Sequence, residues 1–336
     1  MKTHKLKNPI QNLKNAALLF LATITLVSCN KDEISNLNPT AAKFATIRQT
    51  ALEHQTQRFT ATAGVGAITL TSAKGVIITL NGNALTKNGN PVTGAIDITY
   101  VEIFDKGSML VTNKPTMGLM TNGNKSILKS GGEFFISASQ AGVALVSTGV
   151  IQLQVPATLT DSVDTGMVFW TGNNSDEANL VWEQPVPIPA NVGGGQERGN
   201  VAFNHTNYNV TFGTFGWTNV DRFISDPRPK TTILVEVPAG YDDTNCAIYL
   251  SYDGEGQNAL AKLDTYNPTT EQFSEHYGQI PVGLACHVIF ATEDNGNWRF
   301  AIKAVTVAAG DVYTFAMSET NVVTEVQLIA AINAIQ

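Results

Sequence analysis

The chain has 336 residues, 15% of them charged, and a formal net charge of −7 at pH 7. Because neutralisation of phosphates by basic residues drives nucleic-acid binding, an acidic chain without a basic cluster excludes that class of partner. The length is sufficient for two domains of ordinary size.

The first 28 residues have the features of a secretory signal peptide. Four lysines supply its only charges, and its apolar run at residues 16–27 is shorter than the roughly twenty residues of a membrane-spanning helix. Cleavage after residue 28 leaves 308 of the 336 residues and, without the four lysines, a net charge of −11 rather than −7.

Residues 26–29, Leu-Val-Ser-Cys, resemble the bacterial lipobox, in which the cysteine is acylated and becomes the new N-terminus. The resemblance implies lipidation of Cys29, and two or more acyl chains are enough for stable membrane anchoring. The alternative is an ordinary secretory signal with an unrelated cysteine at its end.

The charged residues that follow resemble the export signal of Bacteroidota-type lipoproteins, and they are Lys31, Asp32 and Glu33. This resemblance implies an outer-membrane protein that faces the cell exterior. Charge runs near a terminus are also commonly just solvated. In that alternative the anchored protein faces the periplasm.

Residues 29–58 are predicted to form a polar tether followed by a short amphipathic helix. Phe44, Ile47, Ala51 and Leu52 fall on one stripe of such a helix. The stripe suits either a docking helix or a spacer.

Residues 59–184 are predicted to form a first β-sandwich domain. Short alternating segments are separated by turn signals such as Asn88-Gly89, and Asn-Gly pairs supply the positive φ angles of tight hairpins. The predicted strands are 67–71, 75–80, 94–103, 133–137, 143–147, 149–155, 167–170 and 179–182.

A segment rich first in proline and then in glycine, residues 185–198, predicts an interdomain linker. Residues 199–336 predict a second β domain with a C-terminal helix. Its predicted strands are 207–213, 231–237, 246–252, 259–266, 284–291, 298–305 and 312–317. The apolar face predicted for the helix consists of Val322, Val326, Ile329 and Ile332. The fold class is therefore all-β, with two β-sandwich-like domains, a short N-terminal helix and a C-terminal helix.

Two sets of segments resemble a family of uncharacterised Bacteroidota-type surface lipoproteins. The first set is 75–80, 89–94 and 100–103, and the second is 216–223, 234–237 and 281–284. The first domain also looks distantly like the ZU5 module, a β-sandwich that serves as a scaffold and interaction domain. These resemblances imply architecture and surface location, and they carry no activity.

Two further cysteines, Cys246 and Cys286, lie in strand-like runs. Alternation places each of them among apolar residues, so both thiols are predicted on core-side faces. An oxidising compartment permits a disulfide between them, and two separate buried thiols are the alternative.

The sequence contains no recognisable motif for catalysis, metal binding or cofactor binding. The histidines of the mature chain are scattered singly, without the paired spacing of zinc sites, and both the Gly-x-Ser-x-Gly elbow and the phosphate loop are missing. The acidic segment 253–258 starts like a calcium loop, but Asn258 stands where an EF-hand requires glycine. We therefore predict no metal, no cofactor and no enzyme activity.

Three tryptophans are candidates for a ligand platform, because aromatic ring faces stack on sugars. Trp170 and Trp182 flank one loop, and Trp217 lies in a glycine-rich run. Burial in a sandwich core is the alternative for each.

Asp161-Ser162-Val163 resembles the O-glycosylation sequon of exported proteins in this bacterial group, so Ser162 is a candidate site for O-glycosylation. A simple Asp-Ser turn is the alternative there.

The expected function is that of a non-catalytic binding or scaffold lipoprotein. Its expected partners are the membrane, through the lipid, and an outer-membrane transporter, an adhesion complex or a glycan. One alternative is a carbohydrate-active hydrolase, which would hold two carboxylates roughly 5–10 Å apart. Another is a structural lipoprotein of the envelope that faces the periplasm.

Overall fold

The computed structural model describes residues 38–173, 180–185, 199–275 and 277–336. The predicted signal peptide, Cys29, Lys31, Asp32 and Glu33 lie outside the described residues, as does the predicted linker from residue 186 to 198. Within the described ranges, no helix is both long enough and apolar enough to cross a membrane.

A central sheet of eight strands draws on residues from before and after the proline-rich segment. With strands numbered in chain order, its members are β1 (Thr56–Ala63), β6 (Gly94–Ile103), β7 (Met117–Leu119), β8 (Lys125–Gln140), β9 (Val143–Ala144), β12 (Val168–Gly172), β13 (Trp182–Glu183) and β16 (Gly216–Phe223). The order is β1-β6-β8-β16-β12-β13-β7, with β9 beside β8. The long strand β8 also pairs with β7, so it organises most of the sheet.

An outer sheet packs on one face of the central sheet and completes a β-sandwich. Its strands are β2 (Ala67–Thr71), β3 (Ile77–Asn81), β11 (Ile151–Pro156), β14 (Asn200–Phe203) and β15 (Asn207–Phe212), in the order β14-β15-β11-β3-β2. A small flanking sheet consists of β4 (Leu85–Lys87), β5 (Asn90–Pro91) and β10 (Val146–Ser147). Alternation along the strands sends Ile78, Tyr100, Phe134 and Leu153 into the shared core.

The other face of the central sheet is covered by helices and then by a further sheet, called the terminal sheet below. The helices are α1 (Ala41–His54), α2 (Lys106–Thr112) and α3 (Glu325–Asn333). The strands of the terminal sheet are β19 (Cys246–Tyr252), β20 (Ala261–Leu263), β24 (Ala285–Asp294), β25 (Asn297–Thr306) and β27 (Asn321–Val323). Phe44 of α1, Leu110 of α2 and Leu328 of α3 share one buried cluster with residues of both sheets.

Smaller strands cover the far face of the terminal sheet. A four-stranded sheet contains β18 (Leu234–Glu236), β21 (Thr265–Asn267), β22 (Gln272–Ser274) and β26 (Val312–Thr314), and a two-stranded one contains β17 (Lys230–Thr231) and β23 (Ile280–Pro281). Single 3-10 turns occur at Gly82–Ala84, Ala157–Thr160 and Met317–Glu319. The mostly-strand architecture with short terminal helices confirms the predicted all-β class.

The strands do not divide where we predicted a linker. β15 pairs with β11, and β16 pairs with both β8 and β12, so strands that follow residues 185–198 complete sheets begun before them. Contacts group Pro39–Gln336 into one compact unit. A Pro/Gly-rich composition indicates a connection without regular structure, and such a connection also occurs between strands of one sheet.

Helix α2 was not predicted, and the face predicted for α3 is right at Ile329 and Ile332 but wrong at Val322 and Val326. All seven residues of α2 are buried, so the helix lacks the polar stripe by which sequence periodicity detects helices. Helix α3 begins after the N-cap Thr324 and buries Leu328 and Ile332, whereas Val326 is 76% exposed. Helix α1 buries Phe44 and Ile47 as predicted, and it docks on this same unit.

Candidate binding groove

The tryptophans predicted as a ligand platform are core residues. Trp170 and Trp182 are fully buried, and Trp217 is 6% exposed. The rings of Trp182 and Trp217 pack edge to face, with centroids 6.4 Å apart. The indole Nε1 of Trp170 donates to the Asp221 carbonyl at 2.9 Å, and that of Trp182 donates to the Pro115 carbonyl at 3.1 Å. The predicted platform is therefore wrong, because these rings do not present a face to solvent.

Cys246 and Cys286 are free and buried, so the predicted disulfide is wrong and the alternative of two separate thiols holds. In the β19–β24 ladder, Cys246 lies opposite Thr292 and Cys286 lies opposite Tyr252. The two cysteines thus occupy opposite ends of the ladder, about 20 Å apart at the usual rise per residue. A disulfide requires Cα atoms within about 7 Å. Both side chains join the same apolar cluster, as alternation predicted.

Ser162 lies at an exposed bend that follows a 3-10 turn. The hydroxyl of Tyr208 donates to the Ser162 carbonyl at 3.2 Å and fixes the bend on the sandwich. The exposure leaves the hydroxyl of Ser162 open to modification, and O-glycosylation stays a prediction.

A serine, a histidine and an acid lie close together at one end of the β19–β24 ladder, and their spacing in the sequence does not indicate this. His287 Nδ1 lies 2.7 Å from Asp253 Oδ1, and Ser251 is directly opposite His287 in the ladder. However, Ser251 is only 1% exposed, and its Oγ accepts a hydrogen bond from Lys106 Nζ at 3.1 Å. A substrate cannot reach this hydroxyl, so the grouping supports structure rather than acyl transfer.

Two carboxyl groups, those of Glu133 and Asp221, are completely buried beside α2. Burial, with the nearby Asp221 as a second cause, raises the pKa of Glu133 well above its usual range. Asn219 Nδ2 donates to Asp221 at 2.5 Å, whereas neither carboxyl oxygen of Glu133 has a hydrogen-bond partner among the described residues. Because both acids are closed off from solvent, this pair does not form the open carboxylate cleft of a glycoside hydrolase.

An open groove of about 300 Å³ lies where the central sheet meets the small strands β17 and β23. Its volume is at the lower end of the range for ligand pockets. The apolar part of its lining consists of Met120, Ile127, Phe223, Ile224, Tyr252 and Pro281. Neutral polar groups come from Ser126, Ser225 and Gln279. Ordered strands or their immediate ends carry most of these residues, so the walls are largely preformed.

The two charged residues at the groove, Asp226 and Lys230, are held by local hydrogen bonds and ion pairs. Asp226 accepts hydrogen bonds from Arg228 Nε at 3.0 Å and from Arg228 Nη2 at 2.5 Å. Hydrogen bonding to Arg228 lowers the pKa of Asp226 to about 2. Lys230 Nζ lies 3.9 Å from Asp226 Oδ1 and donates to the Arg228 carbonyl at 3.0 Å. The groove therefore offers a largely apolar floor, and the one carboxylate at its rim is already paired.

A small enclosed cavity lies behind the groove and shares Ser126, Ile127, Tyr252 and Gln279 with it. Its volume of about 10 Å³ is close to the minimum for a single water molecule.

Glu275 also lines this cavity and is 4% exposed. Burial raises the pKa of Glu275 to about 7, although backbone N–H groups of the same loop bond to its carboxylate and oppose that shift. Beside it, Lys125 forms an ion pair with Asp264, whose Oδ2 also accepts from the Tyr277 hydroxyl at 3.0 Å.

Sequence reasoning missed the groove because its residues come from segments far apart in the chain. Ile127, Phe223 and Pro281 each look like ordinary core positions until strand pairing brings them together. Glu275 belongs to no sequence motif either. The shift in its pKa comes mainly from burial, which the sequence does not show. In the described part of the chain, no three His, Cys, Asp or Glu side chains come together in a metal-binding arrangement.

Comparison with known proteins gives no functional assignment. No family model matches the chain, and no curated protein matches it. Among solved structures, a gamma-CGTase from alkalophilic Bacillus clarkii aligns with 10% identity over 76% of this chain and 40% of that chain, with a TM-score of 0.17. The chain thus spans less than half of that enzyme, and a TM-score this low does not indicate a common fold.

Proposed function

We propose that this chain is a surface-exposed lipoprotein of the outer membrane that binds a partner protein and catalyses no reaction. Its lipid is attached at Cys29, and its groove receives an uncharged apolar side chain of the partner. The observation that carries the proposal is the preformed, largely apolar groove between the central sheet and the small strands. The lipobox-like leader and the export-signal resemblance support the location.

The lining of the groove selects the class of ligand. The floor is formed by Ile127, Phe223 and Ile224. Covering it with apolar surface of a ligand is favourable by roughly 25 cal/mol per Å² of apolar surface buried. Since Asp226 is already paired with Arg228, a cationic ligand group would lose hydration without gaining a free carboxylate. A large aliphatic or aromatic side chain fits a volume of about 300 Å³. Ser225 and Gln279 are placed to bond the adjoining backbone.

A protein partner is favoured over a glycan by the position of the aromatic rings. Stacking on a sugar requires an exposed ring face, and Trp170, Trp182 and Trp217 are buried. In the groove, Tyr252 is itself only 6% exposed. The groove therefore supplies apolar contact and a few hydrogen bonds, which suit a side chain on an extended segment.

The non-catalytic reading is supported by the position of the reactive groups. Ser251 is buried and bonded to Lys106, and Glu133 and Asp221 are closed off in the core. Glu275 adjoins the groove but faces a cavity no larger than one water molecule. The hydrolase alternative would need Glu275 and Asp264 to contact substrate directly. Glycoside hydrolysis by the wild type that is lost in Glu275→Gln would favour it.

Selection from a random peptide display library on the purified mature lipoprotein tests the groove. Counter-selection on Ser225→Trp removes peptides that bind elsewhere, because an indole at this exposed rim position blocks the entrance. Ser318→Trp, at an exposed position in the turn after β26, is the matched control. We expect the enriched peptides to share one large uncharged apolar residue and to bind the control variant normally. Peptides that bind Ser225→Trp equally well would contradict the site.

The location is tested separately in intact cells. Metabolic labelling with a fatty acid should mark the wild-type chain and should not mark Cys29→Ser. Surface protease should digest the wild type, and it should spare a variant with alanine at positions 31, 32 and 33. Equal digestion of both would contradict the export signal while leaving the groove untouched.

A further inference from the structure

One wall of the groove is held in place by a carboxyl group of its own loop. Glu275 follows β22, and its Oε2 accepts the N–H of Gly278 at 3.1 Å and that of Gln279 at 3.4 Å. Its Oε1 also lies 3.4 Å from the Gln279 nitrogen. The side chain thus ties Glu275 to the backbone of Gly278 and Gln279 just before β23 begins.

This loop forms part of the groove surface. Gln279 lines both the groove and the cavity behind it, and Pro281 of β23 lines the groove. Gln279 Nε2 donates to the Tyr277 carbonyl at 3.2 Å, and Asn124 Nδ2 donates to the same carbonyl at 3.4 Å. The Glu275 hydrogen bonds therefore act directly on Gln279, a residue of the groove wall.

The groups that face Glu275 come from several elements. Asp264, paired with Lys125 of β8, adds negative potential, and the Tyr277 hydroxyl bonds to Asp264. Tyr252 of β19 shares the cavity, and the pKa of its hydroxyl is raised first by burial and then by Glu275. At the groove rim, Asp226 and Arg228 are paired with each other. His276 lies outside the described residues.

We propose that ionisation of Glu275 sets the shape of the groove, so that the chain binds its partner more tightly above neutral pH than below it. The inference rests on the proposed function for its ligand, but the loop response can be measured without one. As a carboxylate, Glu275 accepts both N–H groups in charge-assisted bonds, which are about twice as strong as neutral ones. Protonation converts one oxygen to a donor, which weakens those bonds and frees Gln279. A transition near pH 7 follows from the pKa of about 7.

Amide hydrogen exchange on the mature lipoprotein is the direct test. After correction for the intrinsic pH dependence of exchange, protection of the Gly278 and Gln279 amides should fall on going from pH 8 to pH 6. The fall cannot exceed tenfold per pH unit, because a single proton is involved. Glu275→Gln should show the weaker protection at both pH values. Glu53→Gln, at an exposed acid paired with Arg58, should behave like the wild type.

A fluorescent probe gives a second measurement that does not require the Glu275→Gln variant, and it can therefore be made even if that variant folds poorly. An environment-sensitive label on Ser225→Cys, in the otherwise wild-type chain, reports the groove rim, since Cys246 and Cys286 are buried and do not compete. Its emission should shift between pH 6 and pH 8. The same label on Thr69→Cys, in the outer sheet, should not shift.

The outcomes separate this inference from the proposed function. Protection that is independent of pH, or that changes equally in Glu275→Gln, would overturn the role of Glu275 even if selected peptides still bind the groove. A pH-dependent loop in a protein that selects no groove-binding peptide would support the switch and contradict the proposed function. Tighter peptide binding at pH 6 than at pH 8 would overturn the direction.

Discussion

Lys106 Nζ donates to the backbone carbonyl of Ile335 at 2.7 Å and thereby joins α2 to the end of the chain. The same ammonium donates to Ser251 Oγ at 3.1 Å and to the Gly256 carbonyl at 3.3 Å, so all three N–H donors are used. Lys106 is completely buried, and burial lowers its pKa from the usual value. One side chain therefore holds the helix layer, the terminal sheet and the C-terminal segment together.

Replacement of this lysine should destabilise the whole unit. Lys106→Met keeps most of the volume, but it removes the donor to the Ser251 hydroxyl and the half-buried Gly256 carbonyl and leaves the Ile335 carbonyl with Gln257 Nε2 alone. At about 1–3 kcal/mol for each unsatisfied group, we expect a loss of about 2 kcal/mol or more in the free energy of unfolding. Urea denaturation measures it, with Lys43→Met on the exposed face of α1 as the control. A loss below about 1 kcal/mol would mean that the carbonyls find other donors.

Gly107 is the adjacent point of contact between α2 and α3. A Cβ at this position would lie 2.6 Å from the Ile329 carbonyl oxygen and 2.8 Å from the Ile329 Cα, both in the backbone of α3. Gly107→Ala should therefore push α3 outward and cost about 2 kcal/mol or more, as overpacking commonly does.

Gly166→Ala is the matched control, because its new Cβ meets the flexible side chain of Arg222 at 3.0 Å, which can move aside. Thermal unfolding of both variants provides the comparison. If Gly107→Ala and Gly166→Ala lower the melting temperature equally, backbone contact between the helices is not the cause.

The sequence predicted well those elements whose burial alternates along the chain. Strands such as Ala67–Thr71 and Cys246–Tyr252 match the prediction at both ends, because alternation and turn residues define them locally. Asn88-Gly89 forms a two-residue hairpin, with φ angles of 51° and 80°. Asn81-Gly82 does not, because Gly82 begins a 3-10 turn instead.

Local patterns failed where tertiary contacts decide the environment. The strand Gly216–Phe223 is buried on both faces at the centre of the sheet and was missed, since it shows no simple alternation. The predicted platform of Trp170 and Trp182 failed for the same reason, because spacing gives no measure of burial. The groove and the Glu275 loop depend on pairings between distant strands, which one sequence does not reveal.

The two internal thiols should be free and unreactive in the folded protein. Burial raises the pKa of Cys286 to about 12 and raises that of Cys246 well above its usual range, so neither forms an appreciable thiolate at pH 8.

Thiol titration of the Cys29→Ser variant without reductant should give two thiols per chain in denaturant and almost none under native conditions. The same protein with Cys246→Ala and Cys286→Ala added contains no thiol and gives the background signal of the titration. A fast-reacting thiol in the native state would contradict the burial of the two cysteines, and no thiol in denaturant would contradict their separation along the β19–β24 ladder.

The stability of the protein should fall as pH rises through neutrality, partly because of Glu133. Its pKa in the folded state is raised by burial above the unfolded value of about 4.5. The favourable contribution is therefore complete below about pH 4.5 and is lost progressively as the pH rises towards the folded pKa. Glu133→Gln removes this titration, so it should be more stable than the wild type at pH 8, with the difference shrinking towards pH 4.5.

Glu102→Gln is the matched control for this experiment. Glu102 is also buried, but it accepts hydrogen bonds from Ser72 Oγ at 2.7 Å and from Gln57 Nε2 at 3.0 Å. An amide in its place would put a donor against these donors, so the control should be destabilised at pH 8. Urea denaturation of both variants between pH 4.5 and pH 8 measures the contrast. Destabilisation of Glu133→Gln at pH 8 would mean that the carboxyl of Glu133 is needed in its ionised form, and the buried pair would then have to be held by a cation or by ordered water.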